Sequence, residues 1–176
     1  MAYSCDAYFD IETTGLSCQY AEITVIGMYL VNGAEDRMVQ LVGQEVPCDN
    51  LLESLKGVDR IYTYNGSRFD LPFIYNSLGI DLATLLNHHD LMYDCWRCYL
   101  FGGLKAVEKQ LRIPRQLQGI SGLDAVRLWW RYLEYGDCDA LATLLEYNRE
   151  DVMNVEVPTE RLTICSHFDG RHHGRT

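Results

Sequence analysis

The sequence predicts an α/β domain whose mixed central sheet begins with three antiparallel strands, continues with parallel strands, and is flanked by helices. Two observations indicate this fold. Short apolar segments rich in Tyr, Ile and Val lie in the first part of the chain, and from residue 49 onward helix-like and strand-like segments alternate. This order favours a mixed-sheet α/β fold over a β-sandwich or a helix bundle. At 176 residues with 48% hydrophobic content, the chain is large enough for one core.

The antiparallel start is indicated by residues 7–11, 23–31 and 38–42, of which the third is the weakest strand. Residues such as Val, Ile and Tyr favour strands because their side chains fit a pleated surface. Gly15 separates the first two segments, and Asn32-Gly33, a typical two-residue hairpin sequence, separates the last two. We therefore expect an antiparallel three-strand meander.

Helices and strands are expected to alternate up to residue 93, and the chain after it is expected to be helical. A helix over residues 69–78 is indicated by the spacing of its apolar residues, with Pro72 in the first turn and Gly79 at the end. The other predicted elements are helix 49–55, strands 60–64 and 89–93, and helices 104–111, 123–135 and 139–157, the last of which precedes Pro158.

We expect one domain over residues 1–164 and a disordered tail over residues 165–176, which are polar and rich in His and Gly. No apolar run approaches the roughly 20 residues that a membrane span needs, and the start of the chain lacks the basic and apolar regions of a signal peptide. Seven cysteines, an odd number without regular spacing, form a poor disulfide framework. A soluble, cytoplasmic protein with reduced thiols is expected.

The net charge of -10 is unfavourable for nucleic-acid binding, because phosphate binding depends largely on Lys and Arg. The charge is unevenly distributed, however. Residues 97–131 contain seven basic and two acidic residues, which gives +5 for this basic segment and leaves -15 for the rest. The basic segment predicts either a surface that faces a phosphate backbone or solvated positions on helices, and the sequence leaves both open.

Two acidic residues, Asp10 and Glu12, end the first predicted strand in the sequence FDIETTG. Side chains two apart on a strand point to the same face, so the two carboxylates converge on one point. Burying such a pair without a cation is unfavourable, so the pair either faces water or binds a metal ion. For an isolated Asp-x-Glu the solvated state is the usual outcome. Whether this pair instead binds a metal ion depends on the other motifs in the chain.

Further acidic residues lie near helices. Asp70, in the sequence NGSRFD after strand 60–64, would by itself be interpreted as a helix cap. Tyr147 and Asp151, in the sequence YNRED, are four residues apart, which places them on one helix face with Cβ atoms roughly 5–6 Å apart. A phenol at this spacing can reach a ligand that the carboxylate holds, although such pairs are usually ordinary surface or boundary residues.

The sequences DIETTG, NGxxFD and YxxxD, in this order, resemble the three exonuclease motifs of the DEDD superfamily. The resemblance is to its tyrosine-bearing (DEDDy) branch, which includes the proofreading domains of family B DNA polymerases and ribonuclease D. Over residues 5–160, the sequence GLKAVE, the segment 122–130 and the sequence YNxxD are also similar to the YprB-type predicted exonucleases with a ribonuclease-H-like domain.

This resemblance implies a ribonuclease-H-like fold and a metal-dependent 3′-to-5′ exonuclease that acts on single-stranded or frayed DNA or RNA and releases nucleoside 5′-monophosphates. Two divalent ions, Mg²⁺ or Mn²⁺, are implied, with Asp10 bridging both. Glu12 and Asp151 would complete the coordination of the catalytic ion, and Asp70 would hold the second ion mainly through water. Tyr147 would orient the attacking water, since an ordinary tyrosine pKa near 10 makes a poor base at neutral pH.

The resemblance also assigns substrate-binding residues. In the family, the loop Thr13-Thr14-Gly15-Leu16 holds the terminal nucleotide, with the leucine beneath the last base; from the residues alone, a tight turn is the alternative interpretation. Asn65 would contact substrate or brace the site, whereas by itself it is interpreted as a turn residue.

The remaining Cys and His residues that could carry chemistry are interpreted as structural. Cys95-x-x-Cys98 has the spacing of a zinc knuckle but no second pair, and His88 and His89 lie too far before Asp151 to replace the tyrosine. Two alternative functions stay open: a catalytically silent nucleic-acid-binding or scaffolding module, and a ribonuclease-H-type endonuclease. The intact carboxylate set argues against the first, and the TTG loop together with YxxxD argues against the second.

Overall fold

A five-stranded sheet in the order β3-β2-β1-β4-β5 forms the centre of the protein, for which the computed structural model describes residues 4–33 and 35–169, with side chains as far as residue 156. Strands β1 (Asp6–Thr13), β2 (Ile23–Val31) and β3 (Asp36–Val42) form an antiparallel meander. Strands β4 (Arg60–Thr63) and β5 (Asn87–Asp90) extend the sheet parallel to β1. The predicted mixed sheet, antiparallel first and parallel afterwards, is confirmed.

Seven α-helices accompany the sheet within the described residues: α1 (Cys48–Ser54), α2 (Asp70–Leu78), α3 (Leu82–Leu85), α4 (Leu91–Arg97), α5 (Leu104–Leu111), α6 (Gly122–Tyr135) and α7 (Cys138–Asp169). A short 3-10 turn, Gly43–Glu45, follows β3. None of the described helices combines the length and apolarity that crossing a bilayer requires.

Different helices cover the two faces of the sheet, and the residues of β1 show which helix packs on each face. Alternate β1 residues such as Phe9 pack into a core with Phe73 of α2, whereas Tyr8 packs with Val152 and Val155 of α7. Because side chains alternate along a strand, Asp10 and Glu12 lie on the same face as Tyr8. The strand therefore directs both carboxylates toward α7.

The predicted strand at 89–93 is wrong in its second half. The strand ends at Asp90, whose side chain accepts a hydrogen bond from the amide of Met92 (3.1 Å) and so caps α4. A carboxylate in this position satisfies one of the free amides at a helix start. The apolar residues after Asp90 belong to the buried side of this helix, with Leu91, Met92 and Cys95 in the interior.

Two predicted boundaries also differ. The loop between β2 and β3 covers residues 32–35 rather than only Asn32-Gly33, since Val31 pairs with Asp36. Helix α7 does not stop before Pro158 but continues to Asp169; a proline inside a helix removes one backbone hydrogen bond without necessarily ending it. Most of the expected disordered tail, residues 170–176, lies outside the described residues, and its disorder stays a prediction.

Gly27 allows α7 to approach the sheet closely. It pairs with Asp10 across β1 and β2, and a Cβ atom at this position would lie 2.2 Å from Oδ1 of Asn148 and 2.7 Å from Cγ2 of Val152. Both contacts are far shorter than van der Waals distance, so any side chain here would push α7 away from β1. The distance between α7 and the β1 carboxylates thus depends on a glycine in β2.

Gly27→Ala is expected to destabilise the fold by about 1–3 kcal/mol, the usual effect of overpacking a tight interface. Urea unfolding checks this value. Gly122→Ala is the matched control, because a Cβ atom there would meet nothing within 4 Å and Gly122 does not have a positive φ. The control should change stability by less than about 0.5 kcal/mol; equal effects of the two variants would contradict the close approach.

Candidate metal centre

The end of β1 and the middle of α7 bring three carboxylates to one point. One oxygen each from Asp10, Glu12 and Asp151 lies within 4.8 Å of the others. The helix contributes its ligand because a buried stripe with helical spacing faces the sheet, comprising Tyr147, Asn148, Asp151, Val152 and Val155. The expected face shared by Tyr147 and Asp151 is present, and it points at the β1 carboxylates.

Asn148 fixes the position of Asp10 relative to the helix. Its Nδ2 donates to Oδ2 of Asp10 at 3.3 Å, and its Oδ1 accepts a hydrogen bond from Nε2 of Gln40 at 2.9 Å. The same Gln40 nitrogen also donates to the carbonyl of Leu145 at 2.8 Å. A side chain on β3 therefore holds the amide whose other end holds the carboxylate.

Asp70 lies beside this group rather than within it. It is the first residue of α2, is buried, and accepts a hydrogen bond from the backbone amide of Ile11 through Oδ1 at 3.1 Å. The capping interpretation does not describe it, since the residue before the helix is Phe69 and Asp70 instead bonds to β1. The fourth predicted ligand is thus attached to the peptide between Asp10 and Glu12.

Burial raises the pKa of the two carboxyl groups at the end of β1 and of the one at the start of α2. The pKa of Asp10 rises to about 7, partly offset by the Asn148 hydrogen bond and the charge of Arg115. Burial and then the charge of Asp10 raise the pKa of Glu12 and of Asp70 well above their ordinary values. Oε1 of Glu12 is moreover buried without a hydrogen-bond partner. Such a cluster is suited to a cation, which would remove the penalty of burying negative charge.

Arg115 supplies one internal counter-charge, and the motifs gave no sign of it. Its Nη2 pairs with Oδ1 of Asp151, and its Nε lies 2.9 Å from Oε2 of Glu108 without forming a hydrogen bond. Glu108 is in turn bonded by Nδ2 of Asn154 at 2.8 Å, so this network begins and ends on α7. The side chain of Arg115 is 10% exposed, which makes it an internal charge and not a solvated one.

Lys105 lies next to the tyrosine. Its ammonium group donates to the hydroxyl of Tyr147 and, at 2.8 Å, to the carbonyl of Ile120, and it lies 4.0 Å from the centroid of the tyrosine ring. Burial, followed by the neighbouring charge of Arg115, lowers the pKa of Lys105. Burial also raises the pKa of Tyr147, with the charges of Glu12 and Asp10 adding to the effect, so this phenol keeps its proton at neutral pH.

The segment between α5 and α6, residues 112–121, carries Arg115 and is attached to α7 by a further acidic residue. Glu150 accepts hydrogen bonds from the backbone amides of Gln116 (2.5 Å) and Leu117 (3.1 Å). Lys105 holds the same segment near its other end through Ile120. Buried polar contacts therefore position a segment without regular secondary structure, and with it the guanidinium beside Asp151.

The predicted substrate loop follows the site directly. Oγ1 of Thr13 donates to the carbonyl of Gly15 at 2.6 Å, and Thr14 exchanges two hydrogen bonds of 2.9 Å with Glu22. These contacts close the loop and leave the side chain of Leu16 89% exposed. A large apolar side chain that is this exposed is available to a ligand.

Asn65 has a left-handed backbone (φ 65°), and its amide donates to Oδ1 of Asp90 at 2.8 Å. Asparagine tolerates this conformation better than most residues. The turn interpretation therefore describes its backbone, whereas the predicted substrate contact stays a prediction.

The protein is therefore an α/β domain with a mixed sheet and with a cluster of carboxylate oxygens at the end of its central strand. Hard divalent cations such as Mg²⁺ prefer carboxylate oxygens. The family model of the RNase_H superfamily matches residues 7–162, and the chain belongs to this superfamily. The implied ribonuclease-H-like fold is thereby confirmed.

Solved structures with similar folds have low sequence identity to this chain. A family B DNA polymerase from the archaeon Pyrobaculum calidifontis aligns with a TM-score of 0.71 and 17% identity over 91% of this chain and 24% of the polymerase. The apo form of a nuclease aligns with a TM-score of 0.60 and 18% identity over 97% of this chain and 76% of that one. Brucella melitensis NrnC with bound Mg²⁺ aligns with a TM-score of 0.57 and 17% identity, over 98% and 77% of the two chains. No curated protein sequence matches the chain.

In metal-free protein, Asp10→Asn is expected to raise the melting temperature at pH 8 and to raise it by a clearly smaller amount at pH 5. Because the pKa of Asp10 is raised to about 7, the folded protein binds a proton that the unfolded chain, with a pKa of about 4, has released. Stability therefore falls as the pH rises between these values, and asparagine avoids this loss. Thermal unfolding in EDTA measures the difference, at roughly 2–4 °C per kcal/mol for a domain of this size.

Glu134→Gln, at an exposed position on α6, is the control for removing one negative charge from this acidic protein. It should give a small shift that is similar at both pH values. An Asp10→Asn effect of equal size at pH 5 and pH 8 would show that burial does not shift this carboxyl group.

Proposed function

We propose that this chain is a metal-dependent 3′-to-5′ exonuclease of the DEDDy type, similar to the YprB-type enzymes, that removes nucleoside 5′-monophosphates from single-stranded or frayed ends of DNA or RNA. The single observation that carries the proposal is the convergence of Asp10, Glu12 and Asp151 within 4.8 Å at the end of the central strand. Nuclease and Mg²⁺-bound neighbours with the same fold add support. The free, described cysteines support a cytoplasmic location as part of the proposal.

The residues fit two divalent ions, Mg²⁺ or Mn²⁺. Asp10, Glu12 and Asp151 would hold one, and Asp10 with Asp70 would hold the other; the unpartnered Oε1 of Glu12 is one such free ligand atom. When bound, the ions supply an activated water and stabilisation of the leaving 3′-oxygen. Four carboxylates balance the charge of two such ions, while Arg115 and Glu108 balance each other. This count leaves Lys105 as a positive charge for a phosphate oxygen.

Tyr147 would position the attacking water and not remove its proton. Burial raises the pKa of this phenol further above neutrality, so it can donate and accept hydrogen bonds but cannot serve as a base at pH 7. Lys105 donates to the phenol oxygen, and the phenol hydrogen is therefore free to point elsewhere. In this proposal Lys105 sets the direction of the tyrosine hydroxyl.

Cleavage from an end is supported by the loop after β1. The side chain of Leu16 lies four residues after Glu12 and is 89% exposed. A terminal base packed on this leucine would bring the adjoining phosphodiester to the carboxylates, with Thr13, Thr14 and Gly15 beneath the nucleotide and Asn65 on the neighbouring loop. An internal site in a duplex would not offer a free base to this loop.

A 5′-labelled single-stranded oligonucleotide with Mg²⁺ or Mn²⁺ is expected to give a ladder of products that shorten from the 3′ end. EDTA and a blocked 3′ end should both stop the reaction. Asp10→Asn should lower the rate on the order of 10³-fold, which is about 4 kcal/mol at 1.36 kcal/mol per decade. One internal cut would favour the ribonuclease-H-type endonuclease, and an intact label under all conditions would favour the silent binding module.

Tyr147→Phe and Asp151→Asn are expected to differ in their metal dependence. Phenylalanine keeps the ring beside Lys105 but removes one hydrogen bond to the reacting water, so the rate should fall by about 10 to 10³-fold with an unchanged Mn²⁺ midpoint. Asparagine removes a charged ligand and should also raise the Mn²⁺ concentration needed for half-maximal rate. A Tyr147→Phe variant with the full wild-type rate, or with the same shift in midpoint as Asp151→Asn, would contradict the role of the tyrosine.

A further inference from the structure

Several exposed aromatic residues cluster at α4 and the segment after it. The rings of Tyr93 and Trp96 meet edge to face with centroids 5.5 Å apart, and both side chains are more than a third exposed. Tyr99 and Phe101 follow with 82% and 58% exposure. Most monomeric proteins do not display adjacent large aromatic groups without a use for them.

An arginine joins this cluster. The guanidinium of Arg68 lies 5.9 Å from the ring centroid of Tyr93 and 5.7 Å from that of Trp96. Within the described residues it forms no ion pair, whereas the nearby Arg97 pairs with Asp94. We call Arg68, Tyr93, Trp96, Tyr99 and Phe101 the aromatic surface. Arg68 leaves one positive charge uncompensated on this surface, in a protein whose net charge is -10.

The aromatic surface is rigidly connected to the candidate metal centre. Arg68 precedes the predicted ligand Asp70 by two residues. Asp90 holds the loop that contains Arg68 through the amides of Asn65 (2.8 Å) and Ser67 (3.0 Å), and the same carboxylate caps α4. The hydroxyl of Tyr64 donates to the carbonyl of Gly102 at 2.7 Å and so attaches the segment after α4 to the end of β4.

The sheet order gives the distance. Strands β1, β4 and β5 are parallel neighbours, so their carboxyl ends lie at one edge, where β1 carries the acidic cluster and β5 leads into α4. The end of β1 and the start of α4 are therefore two strand spacings apart, about 10 Å, or roughly three nucleotides of a stacked strand at 3.4 Å each. A chain of nucleotides that ends at the carboxylates can therefore reach the aromatic surface.

Tyr99 shows that the surface is maintained at a cost to the fold. It has a left-handed backbone (φ 60°) just after α4, a position where glycine is usual and where other residues are strained. Its exposed ring recovers little of this by packing. A ring kept in a strained and exposed position is better explained by a ligand than by stability.

We infer that the aromatic surface binds single-stranded nucleic acid a few nucleotides upstream of the 3′ end, by stacking bases on Tyr93, Trp96 and Tyr99 while Arg68 contacts a phosphate. The inference rests on the proposed function, because it extends the substrate path of the same site. Aromatic rings with a cation are the usual means of binding single strands without sequence preference, since every base has a flat face. Double-stranded DNA has no unstacked bases to offer and should gain little from this surface.

The test compares oligonucleotides of two to ten nucleotides in two assays, binding by fluorescence anisotropy in EDTA and kcat/KM with Mn²⁺. Trp96→Ala and Tyr93→Ala should each weaken binding of the long oligomers by about 5- to 100-fold, as expected for one lost base stack, and Arg68→Ala should also weaken it because a phosphate contact is lost. Rates on the dinucleotide should stay within about twofold of the wild type. The matched control is Trp130→Ala, an exposed tryptophan (45%) on α6, which should change neither.

Tyr99→Gly separates binding from folding. Glycine relieves the left-handed strain, so this variant should melt at the same or a higher temperature than the wild type and still bind long oligomers more weakly. Quenching of tryptophan fluorescence by long oligomers should be lost in Trp96→Phe and retained in Trp130→Phe.

The inference is overturned if the aromatic variants bind long oligomers as the wild type does, or if they lose the same factor on the dinucleotide. It is also overturned if the wild type binds no oligomer, or if a duplex binds as tightly as a single strand. Length-dependent binding that these variants weaken, in a protein that hydrolyses nothing, would support the aromatic surface and reject the proposed exonuclease. Hydrolysis at wild-type rates by all of the aromatic variants, on long and short oligomers alike, would support the proposed exonuclease and reject the aromatic surface.

Discussion

Repulsion among carboxylates that are held out of water is the constraint on which the rest of this structure depends. Asp10, Glu12 and Asp70 all have raised pKa values because burial disfavours their charged forms. The fold counters this with Arg115 and Lys105 on one side and the amide of Asn148 on the other. Removing one partner from such a network is usually more damaging than the strength of any single contact suggests, because a charge is then left buried and unpaired. A divalent cation fits this cluster, because it would relieve the penalty of burying negative charge.

The acidic total charge and a phosphate substrate are compatible because some basic residues lie beside the carboxylate cluster while others pair with acids at the surface. Within the basic segment, Arg127 and Arg131 pair with acids at the surface, whereas Arg115 and Lys105 turn inward to the carboxylates. The solvated interpretation of this segment describes Arg127 and Arg131, the phosphate-facing interpretation stays a prediction, and neither anticipates a buried arginine. A substrate would meet positive charge mainly next to the scissile bond, where bound cations would also be. Affinity away from that point would have to come largely from stacking and not from charge.

The sequence was sufficient for the parts of the fold and site that have local signals. Short apolar segments rich in Tyr, Ile and Val, separated by Gly15 and Asn32-Gly33, predicted the meander, and the ordered motifs predicted that Asp10, Glu12 and Asp151 come together. The failures have a common cause in tertiary contacts. The residues after Asp90 are apolar enough for a strand, whereas in the structure Asp90 caps a helix that begins there and packs Leu91, Met92 and Cys95 into the interior. Arg115 and Lys105 are 36 and 42 residues away from the side chains they bond, and nothing in their own surroundings indicates that contact. Lys105 and Glu108 lay within a sequence already noted for its resemblance, without a role that spacing could assign.

Helix α7 carries the tyrosine, the amide that holds Asp10, the carboxylate of Asp151 and the amide that holds Glu108. The positions of all four side chains therefore depend on the rotation of this one helix about its axis. Each residue of an α-helix advances about 100° around the axis, so the loss or gain of one residue between Ala140 and Tyr147 would turn the whole group away from β1 while leaving the composition and helicity of the chain nearly unchanged. Substitutions can alter these side chains one at a time, but a change in length removes them together. Natural variation in length is accordingly expected in the loops and after residue 156, and not in this stretch of the helix.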